Sequence, residues 1–379
     1  MPDRKRVVLI VPNLTGGGAE RVVVHLLCHL NRVRIEPILM VVDLFGPYVS
    51  KLPSDIQIVN LKAKRVRYAL PKLIRQINRL EPDAIMSTLD YMNLALLAVK
   101  PFLAGNPRLI VREANTPSKS IQTLSSLGQK CFTWLYRLLY KRSDVIVTQS
   151  DGMRKDLLAF LPGLDPNKVV RIYNPLDVET VKRESCLFHP FAHDEKKIAI
   201  VAAGRLTYQK GFDLLLQAFG KVRSVHENAQ LYILGEGPLL EELTQLAEEL
   251  EITDHVNFAG FQSNPYPYLK QADLFVLSSR WEGFPNILLE AIASGSRVVA
   301  TRCPSGPDEI LEEGRYGVLV KTDCVDSLAD GMLAALNKEA VFDSGIQKVR
   351  QYSAPYIVGL YEQIFTNENE LRDTQEGLA

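Results

Sequence analysis

The feature that most constrains this chain is an alternation that runs through it twice. Short, nearly continuous apolar runs bounded by turn residues alternate with stretches whose apolar residues recur every three or four positions. In the first pass the runs lie at 6–11, 37–42, 57–61, 84–87, 108–112, 145–149 and 169–173. Between the first two, Val23, Leu26, Leu27 and Leu30 fall at i, i+3, i+4 and i+7, one face of a helix. After residue 178 the pattern restarts, with runs at 197–203, 230–234, 255–259, 274–277, 297–301 and 318–320. Amphipathic stretches at 212–222 and 238–250 follow the first two of these. Runs without strict alternation suit strands buried on both faces of a parallel sheet. The strand–helix–strand order predicts βαβ units, hence an α/β chain of two doubly wound domains. The boundary is expected between residues 174 and 195, where Pro175, Pro190 and many charges interrupt the pattern.

Composition supports that reading and removes others. The 379 residues, 46% of them apolar and 23% charged, suffice for two cores and exclude a disordered or fibrous chain. The longest unbroken apolar runs, 94–99 and 198–203, are six residues each, well short of the roughly 18–20 that a spanning helix needs. The basic start runs straight into a glycine loop with no small-residue cleavage site, so no signal peptide is expected. Cysteines 28, 131, 186, 303 and 324 are scattered without a CxxC pair, which points to reduced thiols, a cytoplasmic setting and no zinc site. The net charge of zero conceals an asymmetry. Residues 1–180 hold 26 Lys+Arg against 15 Asp+Glu, and the remainder holds 18 against 29. Either the halves attract each other, or the basic half faces something anionic.

Three segments carry residues suited to chemistry. Residues 281–290 read WEGFPNILLE after an apolar run and two serines. Pro285 is expected as a first helical residue, Gly283 permits close backbone approach, and the helix start offers free N–H groups to a phosphate. Glu282 and Glu290 would then accept hydrogen bonds from sugar and ribose hydroxyls; alternatively they are solvated acids at the ends of an ordinary helix. Residues 203–211 read AGRLTYQKG. Arg205 offers a planar fork and Lys210 a mobile point charge, and both can converge on one diphosphate; alternatively they are two surface cations. Gly16, Gly17 and Gly18 open the first helix, lack the spacing of a dinucleotide or P-loop fingerprint, and form either a phosphate-approaching turn or an ordinary tight one.

Taken together, these segments resemble the retaining GT-B glycosyltransferases of family 4, and the resemblance covers almost the whole chain. It is strongest over 198–322, through AAGRLTYQKGFDLLLQAF, YILGEGPLLEEL, VNFAGF, ADLFVLSSRWEGFPNILLEAIASG and PSGPDEILEEGRYGVLV. The resemblance implies a GT-B fold: two Rossmann-like domains facing across a cleft, an acceptor-side domain at 1–178, a nucleotide-sugar-binding domain at 179–353, and a closing segment at 354–379 whose helix, 356–365, crosses back to the first domain. It implies that Arg205 and Lys210 bind the donor diphosphate, Glu282 lies by the donor sugar, and Glu290 holds the ribose. The amides around Phe284, Pro285 and Asn286 face sugar and phosphate, Gly16, Gly17 and Gly18 close over the donor, and Gly235, Glu236, Gly260 and Phe261 surround the base. Ser305, Gly306 and Glu309 fall near the ribose. Many relatives place a His after a first-domain strand; here that place reads VREAN, so Arg112 or Glu113 is expected on the acceptor side.

The implied reaction moves a hexose or N-acetylhexosamine from a nucleotide sugar, UDP-linked, to a glycan or polyprenyl-diphosphate acceptor in surface polysaccharide or glycan assembly. Configuration is retained and no cofactor is needed. No Asp-x-Asp pair is present to hold a metal, so metal-independent turnover is expected. Two basic amphipathic segments, 62–79 and 131–142, suit either an anionic membrane surface or core helices with solvated outer faces. No nucleic-acid partner is expected. The rival readings are a sugar-nucleotide epimerase of the same architecture, a non-catalytic scaffold, and a dehydrogenase; residues 235–240, GEGPLL, lack the third glycine of the dinucleotide fingerprint.

Overall fold

The computed structural model describes residues 4–15, 17–122, 124–191, 197–340, 343 and 345–367. Gly16 and the polar tail beyond residue 367 lie outside the described residues. The chain divides into two compact units, Met1–Pro175 with Tyr352–Ala379, and Leu176–Gln351.

The first unit is built on seven parallel strands: β1 (Lys5–Val11), β2 (Ile35–Val41), β3 (Gln57–Asn60), β4 (Ala84–Thr88), β5 (Arg108–Arg112), β6 (Val145–Thr148) and β7 (Val169–Arg171). Their order is β3-β2-β1-β4-β5-β6-β7. Alternate residues of a strand point to opposite faces. Val8 and Ile10 of β1 therefore enter one core, with Leu73, Ile77 and Leu96, while Val7, Leu9 and Val11 enter the other, with Leu26 and Leu27. Two covered faces explain why the run is apolar without a break. The helix Ala354–Thr366 belongs to this unit because Ile357, Tyr361, Ile364 and Phe365 complete the second core. Each such side chain contributes about 1.5–3 kcal/mol on burial.

The second unit carries six parallel strands: β8 (Ile198–Ala203), β9 (Ala229–Leu234), β10 (Val256–Gly260), β11 (Leu274–Leu277), β12 (Val298–Thr301) and β13 (Val318–Val320). Their order is β10-β9-β8-β11-β12-β13. Strand order reverses between β1 and β4 in the first unit and between β8 and β11 in the second. In open α/β sheets, ligands bind beyond the carboxyl ends of the strands at such switch points.

The two basic segments part ways. The helix Val66–Leu80 turns Ala69, Leu73 and Ile77 into the core, so its apolar stripe is a packing face and not a free surface. The helix Ser126–Leu139 buries Tyr136 and Leu139 but leaves Leu127, Trp134 and Leu138 exposed. Among the described residues no helix is long and apolar enough to cross a membrane.

Candidate active site

At the switch point of the second unit, two loops leave adjacent strands and close on each other. Residues 204–211 follow β8, and residues 278–285 follow β11. Ser278 Oγ donates to the Lys210 carbonyl at 2.8 Å, Arg280 N–H donates to the Gln209 carbonyl at 2.8 Å, and Gln209 Nε2 donates to the Trp281 carbonyl at 2.9 Å. Gly211 makes the approach possible. Its φ is +62°, and a Cβ there would lie 2.3 Å from the Ser278 carbonyl oxygen.

The closure brings Lys210 and Glu282 together. Lys210 Nζ donates to Glu282 Oε1 at 2.6 Å, and Ser279 Oγ donates to the same oxygen at 2.6 Å. The Lys210 side chain is 19% exposed and that of Glu282 is 7%. A charge pair so little hydrated attracts far more strongly than a surface one. Cys303 adjoins the pair; burial first, then the Glu282 charge, push its thiol up to about 12, so it stays neutral. Arg205, by contrast, is exposed, and its guanidinium has no hydrogen bond or ion pair among the described residues. The two cations expected to converge thus behave differently: Lys210 is held on an acid, and Arg205 is available to a ligand.

The helix after this loop runs Asn286–Ser294, with Pro285 as its cap at φ −77° and ψ 90°. The proline stands one place earlier than expected, because the turn that delivers Glu282 holds its ψ in the extended region. Glu290 is buried on this helix. A third loop, after β12, covers the helix start: a Cβ at Gly306, whose φ is +92°, would lie 2.4 Å from Pro285 Cδ. That places Ser305 and Gly306 beside Gly283, Phe284 and Pro285, with Glu309 in the short helix Pro307–Leu311.

Gly235, Glu236 and Gly237 end β9 next to the β8 loop. A Cβ on Gly235 would meet the Gly204 carbonyl at 2.0 Å, and one on Gly237 would meet the Leu206 carbonyl at 2.4 Å. These glycines let two loops touch, which is a packing reason for a motif read from sequence as part of the base site. Gly260 ends β10 at φ +67°, and Phe261 beyond it is exposed.

In the first unit, the helix Gly18–His29 starts at the glycine loop with Gly17 as its cap. Its third residue, Glu20, folds back so closely that a Cβ on Gly17 would lie 2.4 Å from Glu20 Oε2. The helix's own acid thus meets the positive dipole end, as in a capping box. Sequence reasoning passed over this acid, although its spacing from Gly17 is the signal.

Arg112 and Glu113, expected toward an acceptor, are both 0% exposed. Arg112 Nη1 donates to Thr88 Oγ1 at 3.0 Å and Nη2 to Asn174 Oδ1 at 2.5 Å. Glu113 Oε1 accepts from the Tyr140 hydroxyl, and Asn93 Nδ2 donates to the Arg112 carbonyl at 3.0 Å. Burial, with the Asp90 charge second, raises the Glu113 carboxyl from 4.5 to about 8. These two residues form a buried polar floor under the ends of β4, β5 and β6; they do not line a surface.

Two family models divide the chain: the one described as "Glycosyltransferase Family 4" matches residues 16–180, and the one described as "Glycosyl transferases group 1" matches residues 187–352. The chain belongs to the group 1, family 4 glycosyltransferases and has the GT-B fold. This glycosyltransferase, a hexosyl-transferring enzyme, is 29% identical over 346 residues to the Campylobacter jejuni N-acetylgalactosamine-N,N'-diacetylbacillosaminyl-diphospho-undecaprenol 4-alpha-N-acetylgalactosaminyltransferase, covering 88% of this chain and 91% of that one. It is 26% identical over 317 residues to the amylovoran biosynthesis glycosyltransferase AmsD of Erwinia amylovora, covering 83% and 85% of the two chains. Its fold matches the crystal structure of Anabaena HepE in complex with UDP and glucose, with a TM-score of 0.80 at 14% identity, over 96% of this chain and 100% of that one.

Proposed function

We propose that the enzyme transfers a hexose or N-acetylhexosamine from a UDP sugar to a polyprenyl-diphosphate-linked or glycan acceptor, with retention of anomeric configuration. The observation that carries the reading is the Lys210–Glu282 pair at the β8/β11 switch point, with exposed Arg205 on the same loop. The donor's diphosphate takes up the bonding pair of the anomeric C–O bond as it leaves. Arg205, Lys210 and the amides opening the helix Asn286–Ser294 stabilise that charge, which is electrostatic preorganisation. The acceptor hydroxyl attacks the same face of the anomeric carbon, and its proton passes to the leaving phosphate. Glu282, held by Lys210 and Ser279, and buried Glu290 supply carboxylate acceptors for donor hydroxyls. Positive side chains meet the charge of the diphosphate, so the reading needs no metal and no cofactor.

The acceptor class is supported by the diphospho-undecaprenol in the name of the Campylobacter relative and by amylovoran biosynthesis in that of the Erwinia one. A membrane-held acceptor also suits the helix Ser126–Leu139, where exposed Leu127, Trp134 and Leu138 share a stripe flanked by exposed Lys130, Arg137 and Lys141. Such a face fits an anionic leaflet at the cytoplasmic side. Thermal unfolding against a panel of sugar nucleotides tests the donor: a UDP sugar should raise the melting temperature, because binding to the native state alone stabilises it. Stabilisation by no sugar nucleotide would leave the scaffold reading standing, and donor conversion without an acceptor would favour the epimerase.

A further inference from the structure

We infer that Arg280 is the positioning residue that holds the Lys210–Glu282 pair in register; this rests on the reading that Lys210 stabilises the departing diphosphate. Arg280 sits in the chain between Ser279 and Trp281, two residues before Glu282. Its side chain is 8% exposed. Nη1 and Nη2 grip Asp213 at 2.8 and 2.6 Å, Nε reaches Asp323 at 2.8 Å, and Nη1 also donates to the Tyr208 carbonyl at 2.8 Å. The guanidinium lies 3.9 Å from the centre of the Tyr208 ring. With its backbone N–H on the Gln209 carbonyl, Arg280 fastens two consecutive residues of the lysine loop, immediately before Lys210.

The geometry is one that only arginine supplies. A planar fork can be bidentate to one carboxylate, reach a second, and stack on a ring at once; a lysine ammonium cannot. Asp213 opens the helix Phe212–Arg223, so the grip ties the lysine loop to a rigid element as well as to the glutamate loop. Arg280 touches neither Lys210 Nζ nor the Glu282 carboxylate, and it acts through where they stand.

The test compares Arg280→Ala and Arg280→Lys with wild type. It uses UDP release, in the presence of an undecaprenyl-diphosphate-linked N-acetylhexosamine as acceptor, from whichever of UDP-glucose, UDP-galactose, UDP-N-acetylglucosamine and UDP-N-acetylgalactosamine stabilises the wild type most. Both variants should lose about 10- to 100-fold in kcat with donor KM within about threefold, since a misplacement near 1 Å acts on the transition state and not on uniform binding. In a Lys210→Ala background, Arg280→Ala should cost less than about a further threefold, because coupled residues are not additive. Losses that multiply, a KM effect alone, or rescue by lysine would each overturn the assignment. Amide exchange of residues 204–211 should rise in Arg280→Ala by more than that of strands β8 and β9, and an exchange of this loop that is unchanged or rises only in step with those strands would also overturn it. Should that variant not fold, Asp213→Asn removes the grip while leaving Arg280 in place and should show the same exchange and kcat pattern. The exchange arm needs no donor. A wild type that releases UDP from none of the four with that acceptor would therefore count against the proposed donor and acceptor pair and leave the exchange result to decide the role of Arg280.

Discussion

Lys210 and Glu282 are 72 positions apart in sequence and 2.6 Å apart in space, on loops that leave neighbouring strands of one sheet. Ser279 shares the same carboxylate oxygen. The pair has two separable consequences, one for rate and one for stability. Lys210→Ala is expected to lower turnover about 10²- to 10³-fold, the cost of removing one preorganised charge from a developing anion. It should also destabilise the second unit by about 3–5 kcal/mol, since it strands a buried carboxylate. The double variant Lys210→Met with Glu282→Gln should recover most of the stability and none of the turnover. Steady-state kinetics and denaturant unfolding of the same samples check both halves, and near wild-type turnover in Lys210→Ala would remove the lysine from the mechanism.

Turnover is expected to persist in EDTA, because Arg205 and Lys210 bring the positive charge that a divalent ion brings elsewhere. UDP release measured with and without chelator decides it; complete loss that added magnesium or manganese restores would refute metal independence.

Gly211→Ala should be costly in spite of its small size. The position has φ +62°, and the new Cβ would be driven to 2.3 Å from the Ser278 carbonyl. A strained backbone of this kind costs about 1–3 kcal/mol. Relief requires the lysine loop to lift away from Ser278, so turnover should fall with stability. Calorimetry paired with kinetics checks this, and an alanine variant as stable and as active as wild type would mean that the loops are not clamped here.

Glu113 introduces a pH dependence with a definite sign. Its folded carboxyl titrates at about 8 against an ordinary 4.5, through burial first and the Asp90 charge second, opposed by hydrogen bonds from Tyr140 and Asn93. The folded state therefore holds a proton that the unfolded chain has released. Its contribution is complete below 4.5 and is lost as pH rises through about 8. The slope is at most about 1.4 kcal/mol per pH unit. Unfolding free energy should fall across that window in wild type and fall less in Glu113→Gln, which keeps a neutral side chain in place. Parallel pH profiles for the two proteins would show that Glu113 is ionised in the native state.

Vesicle flotation separates the two basic helices. Substituting Leu127 and Trp134 with Ser should weaken association with anionic vesicles about tenfold or more, given the apolar surface each would have buried in the interface. Replacing Arg75 and Arg79 on the helix Val66–Leu80 should act only through charge, since that helix spends its apolar stripe on the core. A wild type that floats with anionic vesicles at neither low nor high salt would remove the membrane surface from the proposal.

Much of this was legible in one dimension. All thirteen strands stand within two residues of the apolar runs; the central ones are covered on both faces and have nowhere to put a polar residue, while the edge strands β3 and β10 stay partly exposed and carry more mixed runs. Lys210, Glu282 and the helix after Pro285 could be picked out because glycine, proline and charge together mark a strand-to-helix turn.

What the linear order could not decide was which partner each polar group would take. Arg280 reads as one more charge in a loop until folding surrounds it with Asp213, Asp323 and Tyr208. Glu20 reads as a surface acid until it folds back on Gly17. Arg112 and Glu113 carry the character of a site and are fully buried in the first unit. Periodicity in the sequence reports which side chains leave water. Hydrogen bonds and ion pairs depend on directions and distances of a few ångströms between residues remote in the chain, and those exist only once strands from distant segments lie side by side.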